Sequence, residues 1–416
     1  MPTTPPPQLT PYLTPHHHRL WAEADAFATN VVAPCVPRME TTPNQVERAV
    51  PQRLAEQGWF GVTIPTRYGG MGAGHVAKTI MIHRLAVVSA ATAAIFQASL
   101  IPYEALRRWG TAEQKEAWLP PAADGSLLWS IAVTEPEAGG HIGGIETAAE
   151  RKGSGWVLTG EKLHIGNSHI AGVHLVVART ASADVTASQA LTAFIVEDNR
   201  EGVALHPHSS RLGLHGFSAG RLCLDRVKVP DDHVLGEVGK GLYVALSSST
   251  LCGLPNLTAV SLGLHEAVVD LTADFLSNRH RYHGHLADLP VAQDRLGDMQ
   301  ARLHNARTGA YAAVHLLDEG ASCDEALLTA KYTGHQLAFQ SGKDAMELHG
   351  ARALDADYAL QRMWRDIQNI YPPAGTGEFQ RLRLAKYALG TETIQWSQHF
   401  AAEAAWTRPA PDPTAA

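Results

Sequence analysis

Near the C-terminus the chain reads RDIQNIYPPAGTGEFQR, from Arg365 to Arg381, and the residue types gathered there are those that free a backbone for chemistry. Pro372, Pro373, Gly375 and Gly377 force the segment out of helix and leave backbone N–H groups free to point at a ligand. The residue before Gly375 is Ala374, which carries no acid, base or nucleophile. The commoner catalytic patterns are absent: no G-x-G-x-x-G follows a strand, and no G-x-x-x-x-G-K-[ST], G-x-S-x-G or H-E-x-x-H occurs. Histidine is plentiful, at 22 residues, and titrates near neutrality, but one histidine among so many is more often a structural polar residue than a catalyst. His16 to His18, in a proline-rich terminus, are read as bystanders and not metal ligands. Cys35, Cys223, Cys252 and Cys323 are far apart and form no CxxC pair, so neither a disulfide framework nor a zinc site is expected.

The elements that must position such a turn follow from composition and periodicity. At 416 residues, 45% hydrophobic and 18% charged, the chain can build a large core and two or three domains. A formal net charge of -7, with no long run of Lys and Arg, argues against a nucleic-acid surface. No stretch reads as a signal peptide or membrane helix, so a soluble, cytoplasmic protein without a membrane partner is expected. Residues 1–19 are expected to be disordered. Residues 20–126 read as an α-helical domain, in which HRLAVVSAATAAIFQASLI is long enough for a buried helix and Thr111 with Gln114 forms a capping box. Residues 127–236 change texture to short, β-branched, alternating segments, the signature of an antiparallel β domain. From 237 to 408 helical spacing returns.

Five segments, in order, resemble the acyl-CoA dehydrogenase family over Leu54 to Ala385: GWFGVTIPTRYGGMGAG, TEPEAGGHIGGIET, GEKLHIGNSHIAG, VKVPDDHVLGEVGKG and WRDIQNIYPPAGTGEFQR. The resemblance implies an α+β fold with an N-terminal helical domain, a middle β domain and a C-terminal four-helix bundle. It also implies FAD bound between the β domain and the bundle, and a homotetramer or homodimer. Carried onto this chain, it places Val133 and Thr134 against the flavin ring, with Gly140, Ile165 and Gly166 beside them. Thr376 and Glu378 become cofactor contacts, and Arg279 pairs with the FAD pyrophosphate of a neighbouring subunit. Gln293, Glu347 and Gly350 are further candidates for that pocket.

The departures cluster at the reactive face. Most members carry a glutamate at the position of Ala374 that removes the α-proton of the acyl thioester, and some carry it instead near Gly253; here both positions lack it. Gly140 and His141 stand where the family has Ser-Asp, and Gly166 replaces a threonine. His141 and His164 are then the candidate bases, with Ala374 able to polarise a thioester carbonyl only through its N–H. The resemblance thus implies an FAD-dependent oxidoreductase acting on the CH–CH group of a CoA- or acyl-carrier-protein-bound thioester with a non-standard base. Two alternatives remain at this level: a flavin-dependent monooxygenase on the same fold, and a non-catalytic FAD-binding subunit of a hetero-oligomer. The electron acceptor is unknown from the sequence.

Overall fold

The computed structural model describes residues 4–182 and 185–404. Its start corrects one expectation: residues 4–19 are built into the fold. Pro7–Tyr12 form a 3₁₀ turn that buries Leu9 and lets Gln8 Nε2 donate to the His304 carbonyl at 3.1 Å. Helix α1 (Pro15–Phe27) then opens at Thr14, whose hydroxyl accepts from His17 N–H, with Pro15 in the first helical position where its missing N–H costs nothing. His16, His17 and His18 therefore lie on a helix, and His17 is buried.

The buried apolar stretch of the first domain is two helices rather than one, α2 (Gly74–Val88) and α3 (Ala90–Trp109). They break at Ser89, whose extended backbone (φ -150°) ends one helix while its hydroxyl caps Thr92 N–H of the next at 3.2 Å. Helix α4 (Ala112–Ala123) opens on the expected Thr111–Gln114 capping box.

The middle domain holds strands β1 (Trp129–Ala132), β2 (Ala148–Lys152), β3 (Gly155–Gly166), β4 (Val173–Arg179), β5 (Leu191–Glu197), β6 (Val203–Leu205), β7 (Ala219–Pro230) and β8 (Val234–Leu235). The order across the sheet is β6-β7-β3-β2-β4-β5-β8, with β1 joined to β4. The sheet is mixed and not wholly antiparallel, because β1 and β2 both pair with β4 in parallel. β1 can do so because a long excursion, through the TEPEAGG loop and the β2–β3 hairpin, separates it from β4. Trp156, Leu158, Phe194, Val196 and Leu222 pack on one face, while Leu175, Val177 and Ile195 of the other face join the main core.

The third region contains α5 (Gly241–Ser248), a π turn at Ser249–Gly253, then α6 (Leu254–Asn278), α7 (Pro290–Asp318), α8 (Asp324–His349), α9 (Ala359–Ile370) and α10 (Gly377–Ala388). Helices α6, α7 and α8 pack side by side, and α9 crosses α6 and α8, completing the C-terminal bundle. Every residue from Leu254 to Val269 is buried, so α6 is the central helix of the molecule. Glu266 ties it to its neighbours, accepting from Arg84 of α2 at 2.5 Å and Arg307 of α7 at 2.7 Å. The segment 405–408, expected at the end of this domain, lies outside the described residues. Among those described, no helix is long and apolar enough to cross a membrane.

Candidate functional site

One face of α3 brings the candidate residues together. A methyl group built on Gly166, at the end of β3, would lie 3.3 Å from Ala98 Cβ; one built on Gly253 would lie 3.7 Å from Ile101 Cδ1 and 3.9 Å from Ala374 Cβ. Ala374 and Gly253, the two positions at which the resemblance leads one to expect a glutamate, therefore face each other. Ala98 and Ile101 share a helical face and are about 4.5 Å apart along the axis. Both flanks are pinned to the same helix. Asn167 Nδ2 donates to the Ile95 carbonyl (2.7 Å) and Ser99 Oγ (2.9 Å), and Asn256 Nδ2 donates to the Gln97 carbonyl (3.1 Å).

The glycine-rich turn is held from below. Ala374 sits in the left-handed region (φ 56°), which costs an alanine about 1–2 kcal/mol and persists only where neighbours impose it. Lys331 Nζ, on α8, donates to the carbonyls of Tyr371 (3.1 Å) and Gly375 (2.8 Å), and Gln380 Nε2 donates to that of Ala374 (2.7 Å). With its carbonyls engaged, the turn presents the Ala374 N–H, which makes no hydrogen bond among the described residues. Burial pulls the Lys331 ammonium down to about 8, and burial with the Lys331 charge pulls His335, packed against the Tyr371 ring, down to about 4. Thr376 is the N-cap of α10, but its hydroxyl caps none of the helix's backbone. Glu378, exposed in the first turn, is held below the usual carboxylate range by its backbone amide and by Thr376.

On the β-domain side, Val133 and Thr134 are fixed through their carbonyls, which accept from Lys162 Nζ (3.0 Å) and Leu163 N (2.8 Å). Lys162 is anchored by Glu135 Oε1 at 2.7 Å. Burial draws Lys162 down to about 8 against the pull of Glu135; burial is also the largest influence on Glu135 and opposes its ionisation, but the Lys162 charge together with hydrogen bonds from Lys162, Thr147 and the Glu146 amide keeps the carboxyl low. Ile165 is buried, and the volume of the missing threonine side chain at Gly166 is taken by Phe217, whose Cζ would lie 2.8 Å from an added methyl.

The two candidate bases differ. His164, itself left-handed (φ 61°), has Nδ1 2.6 Å from Arg211 Nη2. A guanidinium only donates, so Nδ1 accepts and the proton sits on Nε2, leaving no free lone pair. Burial and the Arg211 charge both lower its pKa. His141 is exposed, with its ring over Gly143 and Gly144 of its own turn and neither nitrogen hydrogen-bonded among the described residues. Gly140 beside it opens on empty space.

Arg279, Gln293, Glu347 and Gly350 gather elsewhere, at the other end of the bundle. Arg279 follows the last residue of α6 and is exposed; Gln293 donates to the Ala287 carbonyl, and Glu347 pairs with Arg295 at 2.7 Å. The 25 residues of α6 place Arg279 about 37 Å from Gly253, beyond one small-molecule pocket.

Several site residues escaped the sequence reading. Lys331 had a legible signal, a lysine on an apolar helical face with no acid three or four residues away; Ala98, Ile101, Phe217 and Ser249 had none. A Ser130–His174–Asp198 relay, with contacts of 2.7 and 3.1 Å, mimics a hydrolase triad, but Ser130 and His174 are cross-strand partners buried between β1 and β4, out of reach of any substrate.

A solved structure of butyryl-CoA dehydrogenase from Megasphaera elsdenii is similar, with a TM-score of 0.87 and 25% identity over 91% of this chain and 99% of that one. A helical domain, a mixed sheet and a helical bundle meeting at one glycine-rich turn thus define an acyl-thioester oxidoreductase fold. Family models for the acyl-CoA dehydrogenase N-terminal, middle and C-terminal domains match residues 14–126, 130–227 and 239–389. An acyl-CoA dehydrogenase of Bacillus subtilis is 30% identical over 88% of this chain and 95% of its own length. A 3-(aryl)acrylate reductase of Clostridium sporogenes is 29% identical over 91% and 100%. The chain belongs to the acyl-CoA dehydrogenase family, and with it to the FAD-dependent oxidoreductases.

Proposed function

We propose that this chain oxidises, or in the reverse direction reduces, the CH–CH bond of an acyl thioester carried by CoA or an acyl carrier protein, with a proton acceptor other than the usual glutamate. The observation that carries the reading is the spacing along α3: the Gly166 edge and the Ala374–Gly253 junction lie one helical turn apart, the separation needed to act on adjacent carbons. The relatives named above act in both directions, one a dehydrogenase and one a reductase.

The residues present fit FAD. Gly139, Gly140 and Gly350 leave open space, the Thr376 hydroxyl caps no backbone donor of α10, and the Ala374 N–H has no partner among the described residues. Val133, Thr134, Ile165 and Gly166 would line the flavin, and Thr376 and Glu378 its chain. FAD supplies the hydride acceptor for the acyl β-carbon. The Ala374 N–H donates to the thioester carbonyl and so acidifies the α-proton, a role that survives loss of the glutamate because it belongs to the backbone. Of the two histidines, His141 is the proton acceptor we favour, since its ring nitrogens are unengaged whereas His164 Nδ1 is taken by Arg211. Arg279, Gln293, Glu347 and Gly350 would serve the FAD of a second copy, which makes the working form a homo-oligomer, a tetramer on the family pattern. Four free cysteines suit a reducing cytoplasm.

The test is anaerobic titration of the FAD-loaded protein with acyl-CoA and acyl-carrier thioesters. Bleaching of the flavin band is expected, slowed roughly 10²- to 10⁴-fold in His141→Gln. If no thioester perturbs or bleaches the band, the reading fails.

A further inference from the structure

The polar run Ser247-Ser248-Ser249-Thr250 lies where α5 passes into the π turn, and its hydroxyls are not equivalent. Ser247 Oγ accepts from Trp109 Nε1 at 2.9 Å and donates to the Val244 carbonyl. Ser248 Oγ donates to the Val244 carbonyl at 2.7 Å, and Thr250 Oγ1 accepts from Arg383. The Ser249 hydroxyl alone of the four makes no hydrogen bond among the described residues.

Its position is specific. The same point that lies 3.9 Å from Ala374 Cβ and 3.7 Å from Ile101 Cδ1, where a side chain on Gly253 would begin, lies 3.6 Å from Ser249 Oγ. The π turn causes this. Leu254 N–H reaches back to the Ser249 carbonyl, five residues away, and the widened turn sets Ser249 and Gly253 together at the junction. The other two groups nearest that point, Ile101 Cδ1 and Ala374 Cβ, are apolar. The half-buried Ser249 hydroxyl is still reached by solvent, so a ligand group can take the place of water as its hydrogen-bond partner.

We propose that Ser249 is a substrate-recognition residue that hydrogen-bonds a polar substituent, an amino or hydroxyl group, on the acyl chain beside the carbon that Ala374 faces. The preferred substrates are then heteroatom-bearing acyl thioesters rather than plain alkyl ones. The absence of a carboxylate at both Ala374 and Gly253 agrees with this, since the space a glutamate would occupy is available to such a substituent. The proposal rests on the thioester reading above and narrows it.

The experiment measures the dissociation constants of butanoyl-CoA, 2-aminobutanoyl-CoA and 2-hydroxybutanoyl-CoA with the FAD-loaded, full-length protein, from perturbation of the flavin spectrum under anaerobic conditions. The wild type is expected to bind at least one substituted thioester about tenfold more tightly than butanoyl-CoA. Ser249→Ala should erase that preference while leaving butanoyl-CoA binding within about twofold, and Ser249→Thr, which keeps the hydroxyl, should retain it. Equal weakening of all three ligands in Ser249→Ala, or no preference in the wild type, overturns the proposal and leaves the thioester reading standing. Failure of every thioester to bind overturns both.

Discussion

Ala374 occupies a backbone conformation that a glycine would adopt without cost, yet its carbonyl and those of Tyr371 and Gly375 are all held by side chains. A turn so constrained keeps its N–H aimed whatever side chain it carries, which separates two functions normally joined at this residue: polarising the carbonyl and removing the proton. Restoring the second should need little rebuilding. Ala374→Glu would extend a carboxylate from a backbone already in place toward the space beside Gly253 and Ser249. With a simple saturated acyl-CoA, the single-turnover rate of flavin bleaching is expected to rise by roughly 10²- to 10⁴-fold, the usual worth of a general base. An unchanged rate would mean that the acyl group does not lie against this turn. No sequence pattern displays the contact between Ala374 and Gly253. They belong to segments far apart in the chain, and the family resemblance marks them only as two separate places for one base.

At the scale of elements, the order helix, sheet, helix was legible because periodicity reports which face is buried, and both the alternating strands and the helical spacing survive in the fold. What was not legible depended on single hydrogen bonds or on distant partners. HRLAVVSAATAAIFQASLI has the composition of one helix, but Ser89 caps Thr92 and divides it. The π turn at Ser249–Gly253 is a difference in hydrogen-bond reach, and β1 pairs in parallel with a strand that follows a hairpin. Lys331 shows how an element reaches the site: α8 buries an ammonium, with no carboxylate beside it, to hold the reactive turn. Its folded pKa of about 8 lies below its ordinary 10.5, so between those values the unfolded chain keeps a proton that the folded chain has released. Stability therefore rises with pH across that window, and below it burial of the charge costs on the order of 3 kcal/mol. Urea unfolding free energies measured from pH 7.5 to 10 should climb more steeply for the wild type than for Lys331→Met, in which the hydrogen bonds are lost but the slope due to this group disappears. Equal slopes would place the Lys331 amine in water.

At the scale of the molecule, the two halves of the proposed cofactor site lie at opposite ends of one long helix. The turn at Ala374 and Thr376 lies by the N-terminal end of α6, and Arg279 follows its C-terminal end about 37 Å away. If each FAD lies between the turn of one copy and Arg279 of another, damage to the two ends should complement. Arg279→Ala removes the guanidinium. Gly377→Val sets a Cβ 2.2 Å from the Tyr371 hydroxyl and so disrupts the turn. Each homo-oligomer should purify with little FAD. Each pair in which one chain of each kind shares its sites with the other contains one site with both halves intact and one with neither, so hybrids isolated through different tags on the two chains should hold FAD up to about half the wild-type content per chain. Hybrids as empty as their parents would show that the two ends act within one chain or in unrelated ways. Half-occupancy would also mean that the exposed Arg279 guanidinium, without a partner among the described residues, is completed only by assembly, so that cofactor binding and oligomerisation are one equilibrium and FAD retention falls on dilution.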